Sequence, residues 1–305
     1  MTIGRGVAIV AAGVVLAAAP IAARQVFHGG TDTVLLSVTV TDPSGRPISD
    51  LRQADFHVFE DNTPQDIAVF ARDPQPIALS ILIDSSASMD TKIGVAREAA
   101  SGFVKRLGPH DVAQVVAFNS EIDVRQGFTG NVAELDRAIA SIRTGGSTSL
   151  YTAMYVAISE LTDVGESAGD SIRRQAIVVL SDGEDTTSLL RYEDVLDRLK
   201  RSDVTIYAIG LRDRRTTDGR PPQGGDFGLR MLSQSSGGRI FFADDATELP
   251  AIYDQIADEL ANQYVIGYVS KNTMRDGTWR EVAVRTAREG ATARTRTGYF
   301  APKGP

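Results

Sequence analysis

The 305-residue chain contains no cysteine and only three histidines, and these absences remove several classes of function. Without cysteine there are no disulfides, thiolate nucleophiles, zinc ribbons or iron–sulfur clusters. The histidines are His28, His57 and His110; His57 lies in a predicted strand and His110 in a predicted turn. We therefore expect neither histidine-based catalysis nor a histidine-based metal centre.

An excess of positive charge is also absent. The formal net charge is −7 and the sequence pI is about 5.1, so a sequence-wide electrostatic attraction to nucleic acid is not expected. The hydrophobic fraction of 42% and the charged fraction of 23% are typical of a globular protein. At roughly 100–200 residues per domain, the length predicts about two domains.

The apolar run near the start of the chain is typical of a targeting segment. Arg5 precedes the run at residues 6–19, and small residues up to Ala23 provide a cleavage region, which predicts a signal peptide over residues 1–23. The run is short for a membrane span, which needs about 20 apolar residues, but no charge separates Arg5 from Arg24. An uncleaved anchor therefore stays open as the alternative, and no further transmembrane span is expected. Export without cysteine favours a secreted, periplasmic or cell-surface protein of bacteria.

The remaining chain divides into three regions by periodicity. Residues 31–73 alternate as β-strands do, residues 77–262 alternate between strands and helices, and residues 263–301 return to strands. The middle region predicts an α/β fold with a doubly wound, mostly parallel, Rossmann-like sheet. Each β flank offers about three strands, too few for independent stability, so we expect the flanks to pack together as a small all-β, sandwich-like domain around the inserted α/β domain.

The last predicted strand, at residues 291–300, carries two arginines on one face. Arg294 and Arg296 lie two residues apart, and the simplest interpretation is that they keep a strand edge soluble.

Oxygen-bearing side chains follow the two most apolar strands of the middle region. Asp84-x-Ser86-x-Ser88 comes after the first, Ser181-Asp182-Gly183 comes after the second, and Thr148 follows a glycine pair between them. Each motif alone is common in turns and helix caps. Together, at carboxyl ends of central parallel strands, they predict a cation site, because buried carboxylates need a positive partner. Oxygen ligands select Mg²⁺, with Mn²⁺ or Ca²⁺ as alternatives. The predicted metal ligands are Asp84, Ser86, Ser88, Thr148 and Asp182.

These three motifs, in this order, resemble the metal-ion-dependent adhesion site of von Willebrand factor type A domains. The resemblance covers about residues 77–262, and Ala87 stands where the family often has glycine. It implies that Ser86, Ser88 and Thr148 reach the metal, while Asp84 and Asp182 bind it directly or through water. The flanking segments, including residues 55–61, Trp279-Arg280 and residues 296–300, resemble bacterial von Willebrand factor A-related proteins, whose partners are generally unassigned.

The leading hypothesis is a non-enzymatic, metal-dependent protein-binding module for adhesion or scaffolding in the bacterial envelope. The alternatives are a metal-dependent hydrolase or phosphatase, and a scaffold whose metal is purely structural. Ser86 occupies the position where a haloacid-dehalogenase-type phosphatase needs a second aspartate, and neither a Gly-x-Ser-x-Gly elbow nor a P-loop is present.

The predicted partner is a protein that donates an Asp or Glu carboxylate. Only two of the predicted ligands are acidic, so a cation held mainly by neutral hydroxyls stays electrophilic towards an external carboxylate. Around the site, Met89, Tyr151 and the loop after Gly183 are the candidates for setting specificity.

Overall fold

The computed structural model describes residues 33–72, 75–167, 173–182, 185–211 and 225–304, which form an α/β unit and a β unit. The predicted signal peptide lies outside these residues. Among the described helices, none is long and apolar enough to cross a membrane.

The helices and strands follow one another as the sequence periodicities predict. The strands are β1 (Thr33–Thr41), β2 (Phe56–Glu60), β3 (Thr63–Gln65), β4 (Ile67–Ala71), β5 (Ile77–Asp84), β6 (Val112–Phe118), β7 (Ile122–Thr129), β8 (Arg174–Ser181), β9 (Val204–Leu211), β10 (Arg239–Ala243), β11 (Tyr264–Val269), β12 (Trp279–Thr286), β13 (Thr292–Arg294) and β14 (Gly298–Phe300). The helices are α1 (Ile93–Val104), α2 (Val132–Ser141), α3 (Leu150–Ser167), α4 (Tyr192–Lys200), α5 (Gly225–Ser235) and α6 (Leu249–Ala261).

The α/β unit is built on a six-stranded sheet in the order β10-β9-β8-β5-β6-β7. All neighbours in it are parallel except β6 and β7. Every residue of β5 and β9 is buried, as expected of strands covered on both faces. The predicted doubly wound, mostly parallel sheet is therefore confirmed.

Helices cover both faces of this sheet with separate hydrophobic cores. Residues such as Phe103, Ile139 and Ile256 place α1, α2 and α6 on one face. Met154 and Leu232 belong to the core under α3, α4 and α5 on the other. The chain runs from β5 outward to β6 and β7, then returns to β8 on the other side of β5. The strand order thus reverses between β5 and β8, where α/β sheets bind ligands beyond the carboxyl ends of their strands.

The β unit is assembled from strands of both flanks. One sheet has the order β13-β1-β11-β4 and the other β14-β12-β2-β3, so each contains strands from before and after the α/β unit. Val38 and Ile266 of the first sheet share one core with Val58 and Val284 of the second. The first flank contributes four strands where about three were expected, and the short strand β3, which contains Pro64, is one of them.

The end of the chain corrects one of these expectations. A single strand over residues 291–300 is wrong, because β13 and β14 lie in different sheets. Between them the backbone docks on the α/β unit: the Thr297 N–H donates to the Ser235 carbonyl at 3.0 Å. Arg294 Nη1 likewise donates to the Gly238 carbonyl at 2.8 Å. These bonds across the two units replace a continuous strand ladder.

The two arginines of this segment also differ from expectation. Arg294 forms an ion pair with Glu259, which is fully buried on α6. Arg296 pairs with Asp203 and donates from Nη2 to the Leu35 carbonyl at 3.0 Å. Both side chains hold the β unit against the α/β unit, so the interpretation as a soluble strand edge is wrong.

Candidate metal centre

The two predicted acidic ligands lie on either side of the point where the strand order reverses. Asp84 is the last residue of β5 and Asp182 directly follows β8, and the register aligns Ile83 with Leu180. Ser181 Oγ donates to Asp84 Oδ2 at 2.7 Å, and the Ser86 N–H donates to Asp84 Oδ1 at 2.9 Å. These bonds fix the Asp84 carboxylate between the two strand ends.

Asp84 is a fully buried acid, and Ser181 and Ser86, which donate hydrogen bonds to it, are neutral. Burial raises the pKa of Asp84; the hydrogen bonds from Ser181 and Ser86 oppose this, and the nearby charge of Asp182 adds to it. A buried carboxylate held by a hydroxyl and an amide, with a second carboxylate close by, is an environment that a cation would stabilise.

The two serines of the first motif place their hydroxyls side by side. Ser86 Oγ lies 3.0 Å from Ser88 Oγ, with Ser86 buried and Ser88 exposed. The loop that carries them is fixed to the glycine pair. The Ala87 N–H donates to the Gly146 carbonyl at 3.0 Å, and the Gly145 N–H donates to the Ser85 carbonyl at 2.8 Å.

Glycine is required at position 146 for two reasons. Its φ of +76° is left-handed, and an added Cβ would lie 2.7 Å from Ser120 Oγ. The Ser120 hydroxyl accepts a hydrogen bond from the Ser147 N–H at 2.9 Å, so it could not move away from an added Cβ without breaking that bond.

Thr148 is buried and connects the loop that contains the Gly145-Gly146 pair to the loop after β8. Its N–H donates to Thr186 Oγ1 at 2.9 Å, and its carbonyl accepts the N–H groups of Thr186 and Thr187 at 2.9 and 3.0 Å. Ser149 Oγ lies 3.0 Å from Thr187 Oγ1. Hydrogen bonds therefore join all three loops that carry the five predicted ligands at one edge of the sheet.

The donor chemistry of these residues fits a hard divalent cation. The five side chains offer two carboxylates and three hydroxyls, all oxygen ligands of the kind that Mg²⁺, Mn²⁺ and Ca²⁺ take. In the described ranges, no group of three or more His, Cys, Asp or Glu side chains is arranged to hold a metal. A cation here would depend on the hydroxyls as much as on the acids.

Sequence reasoning missed several residues that shape the site, and misplaced one. Met89 is fully buried in the core with α1, so it cannot contact a partner, and its assignment to specificity is wrong. Tyr151 is half-buried beside the loop after β8. Thr186, which is hydrogen-bonded to Thr148, was missed by the sequence analysis. It belongs to the run Asp185-Thr-Thr-Ser188, and such residues often form hydrogen bonds from side chain to backbone. This composition is the signal that could have identified it.

Comparisons with known proteins agree with this architecture. A structure described as "von Willebrand factor type A from Catenulispora acidiphila" is 13% identical, with a TM-score of 0.53 over 90% of this chain and 76% of that chain. Proximal thread matrix protein 1 from the mussel byssus is 15% identical, with a TM-score of 0.51 over 63% of this chain and half of that protein. A second structure of the mussel protein, with a TM-score of 0.50 over the same shares, has a zinc-occupied metal-ion-dependent adhesion site motif.

At these identities the structural likeness establishes the fold alone. No curated protein sequence matches the chain. The sequence profile of the von Willebrand factor type A domain matches residues 79–255, more than half of the chain. The chain therefore belongs to the von Willebrand factor type A domain family.

Proposed function

We propose that this protein is a metal-ion-dependent protein-binding module, for adhesion or scaffolding, that acts in the bacterial envelope. Domains of its family are typically non-enzymatic interaction modules that bind protein ligands. The observation that carries the proposal is the buried Asp84 carboxylate, which accepts hydrogen bonds from Ser181 and Ser86 and lies near the charge of Asp182.

In this proposal Ser86, Ser88 and Thr148 supply hydroxyl ligands to a divalent cation, and Asp182 and Asp84 bind it directly or through water. The cation provides a positive centre to which an external carboxylate can bind. Mg²⁺ is the metal that we propose, with Mn²⁺ or Ca²⁺ as alternatives, because every donor is oxygen.

The partner is a protein that offers an Asp or Glu side chain. Where water stands between one or both acids and the metal, the inner shell carries less than the two negative charges needed to neutralise a doubly charged cation. Ser88 is exposed and Asp182 is partly exposed, so the site is open to a partner.

A hydrolase is the less favoured alternative because neither of the two histidines in the described part of the chain lies at the site. His57 is exposed on β2 of the β unit. His110 precedes β6 at the amino end of the sheet, opposite the site, next to Asp111, which accepts the Ile77 N–H. Of the described histidines, neither could activate a water on the metal.

The metal part of the proposal is tested by calorimetric titration of the protein with Mg²⁺. The wild type should bind a single equivalent and Asp84→Asn should bind none. Asp111→Asn is the matched control: its carboxylate accepts two backbone N–H groups at the opposite end of the same sheet, from Ile77 at 2.9 Å and Gly108 at 2.8 Å. Equal binding by the wild type and Asp84→Asn would contradict the proposed site.

The binding part is tested by a pull-down from envelope extract with and without chelator. We expect partner capture to be lost in chelator, restored by Mg²⁺ and absent with Asp84→Asn. Capture by Asp84→Asn in chelator would show that another surface binds the partner. Metal binding without any metal-dependent capture would favour a purely structural metal.

The envelope location is a separate part of the proposal and rests on the apolar segment at residues 1–23. Expression of the full chain followed by cell fractionation should place it outside the cytoplasm. Mass spectrometry of the exported protein would distinguish cleavage after Ala23 from an uncleaved anchor.

A further inference from the structure

Two large apolar side chains are exposed at the edge of the sheet that carries the candidate metal site. Leu189 is 93% exposed in the loop between β8 and α4, and Phe227 is 62% exposed in the first turn of α5. A large hydrophobic residue that remains so exposed costs solvation free energy, and a group of them at one place is typical of an interaction surface.

The backbone beneath Leu189 is held in place. The Leu189 N–H donates to Thr152 Oγ1 at 3.2 Å, and the Thr152 N–H donates to Ser188 Oγ at 3.1 Å. Ser188 Oγ in turn donates to Asp185 Oδ1 at 2.5 Å. Thr152 follows Thr148 by four residues, about one helical turn, so Leu189 is anchored close to a proposed metal ligand.

Tyr151 lies between the backbone that holds Leu189 and the first turn of α5. It precedes Thr152 on α3, and its ring lies edge-on to that of Tyr192 at 6.2 Å between centroids. Its hydroxyl lies so close to Gly228 that a Cβ there would be 2.5 Å away, which brings the tyrosine against the first turn of α5 beside Phe227. We call these four side chains, Leu189, Tyr151, Tyr192 and Phe227, the apolar rim.

Negative charge accompanies the apolar rim. Burial raises the pKa of Tyr151, and the charges of Asp185 and Glu193 add to the effect. Glu193 is exposed, so its carboxylate is available to a partner. A basic side chain would therefore be complementary to Asp185 and Glu193, which outnumber the exposed Arg191 on the same stretch of chain.

We propose that the apolar rim selects the partner of the metal site, and that the partner is a protein segment in which the metal-binding carboxylate stands close to a large apolar side chain and a basic side chain. The inference rests on the proposed function, since the carboxylate needs the cation. The apolar side chain packs between Leu189 and Phe227, and the basic one faces Asp185 and Glu193. Burial of one large apolar side chain corresponds to about a tenfold gain in affinity or more.

The test is selection from a displayed peptide library that has a fixed Asp flanked by randomised positions, with a matched library that has Asn instead. Both are panned in Mg²⁺ against the wild type, the double variant Leu189→Ser/Phe227→Ser, and Asp84→Asn. Met274→Ser is the control, because Met274 is also 62% exposed but lies in the β unit. Equal melting temperatures establish that the exposed substitutions leave the fold intact.

We expect the wild type and Met274→Ser to enrich Asp peptides with a large apolar and a Lys or Arg neighbour. The double variant should keep the requirement for Asp and Mg²⁺, lose the apolar preference, and bind the best wild-type peptide about tenfold more weakly or worse. An unchanged apolar preference in the double variant, no neighbour preference in the wild type, or no enriched peptide would overturn the inference.

Failure of the proposed function gives a different result. Equal enrichment from the Asn library, or full binding by Asp84→Asn, would overturn the metal-dependent function itself. Two further measurements address other occupants of the apolar rim. Binding of the wild type to phosphatidylglycerol-containing vesicles, or a dimer in sedimentation, would overturn the inference if the double variant abolished either one.

Discussion

The carboxylate of Glu259, fully buried on α6, lies 2.5 Å from Nη2 of Arg294 on β13. Its other oxygen is 3.2 Å from Nη1 of Arg239, at the start of β10. One acid on the last helix of the α/β unit thus pairs with an arginine of its own unit and an arginine of the β unit. Because all three groups are at least partly removed from water, the contact is sensitive to the loss of one partner.

We predict that Arg294→Leu destabilises the protein by about 3 kcal/mol, because Glu259 is left buried with one cation fewer. Urea denaturation measures the effect. The control is Arg46→Leu, because the Arg46 side chain is 80% exposed and pairs with Asp42 at 3.0 Å at the surface, so its loss should have a much smaller effect. Equal costs for the two variants would show that the Glu259 pair does not stabilise the contact between the units.

The turn between α5 and β10 lies directly against the backbone of the β unit. Gly237 has a φ of +80°, and an added Cβ would lie 2.4 Å from the carbonyl carbon of Thr295. We predict that Gly237→Ala destabilises the protein by about 2 kcal/mol or more, because neither backbone can move without breaking the bonds at Thr297 and Arg294. Urea denaturation with Gly237→Ala tests this prediction.

Gly102→Ala is the matched control for that substitution. Gly102 lies within α1, where an added Cβ meets nothing within 4 Å, so alanine should stabilise by about 0.5–1 kcal/mol through helix propensity. Destabilisation at position 102, or tolerance at position 237, would contradict the two arguments.

The order of strands and helices could be predicted where the local pattern matches the final burial. The alternation of apolar residues at 112–118 predicts a strand and the helical spacing at 192–200 predicts a helix, and the structure has β6 and α4 at these residues. The break at residues 295–297 could not be predicted, since it depends on hydrogen bonds to a turn some 60 residues earlier in the chain. Alternation of apolar and polar residues predicts a strand, but it does not predict which other part of the protein that strand contacts.

The candidate site likewise has parts that the sequence predicts and parts that depend on tertiary packing. Loop positions of the hydroxyls and acids follow from motifs at strand ends, but the bonds from Thr148 to the loop at residues 186–187 depend on how α3 approaches β8. Met89 and Leu189 illustrate the difference: both are apolar residues in loops beside the motifs, and one is fully buried while the other is 93% exposed. Only the packing beneath each loop decides which of them can meet a partner.

We predict that the first flank depends on the second for its structure. The strand β11 lies between β1 and β4, so deletion of residues 264–305 removes the partner of both. Hydrogen exchange should show that residues 33–71 lose protection, because two- or three-stranded remnants are marginal in water. Unchanged protection of residues 33–71 after the deletion would show that the flank folds by itself.

The last prediction concerns the stability of the metal-free protein. Burial raises the pKa of Asp84 above its ordinary value of 3.8, so the folded state holds this proton more tightly than the unfolded chain does. Ionisation of Asp84 therefore costs stability, and the cost begins as pH rises through 3.8 and is complete above the raised pKa. Asp84→Asn removes the charge, and an amide can still accept from the Ser86 N–H and donate to Ser181 Oγ.

In chelator at neutral pH, Asp84→Asn should consequently melt at the same temperature as the wild type or higher, and this advantage should vanish as pH falls below 3.8. Excess Mg²⁺ should reverse the order, since ligand binding to the folded state raises the melting temperature of the wild type alone. Asp111→Asn should be less stable than the wild type in both conditions, because Ile77 and Gly108 lose a charged acceptor, and should still respond to Mg²⁺. If the wild type exceeded Asp84→Asn by the same margin in chelator as in Mg²⁺, Asp84 would stabilise the fold through its hydrogen bonds alone and the electrostatic argument for a cation would fail.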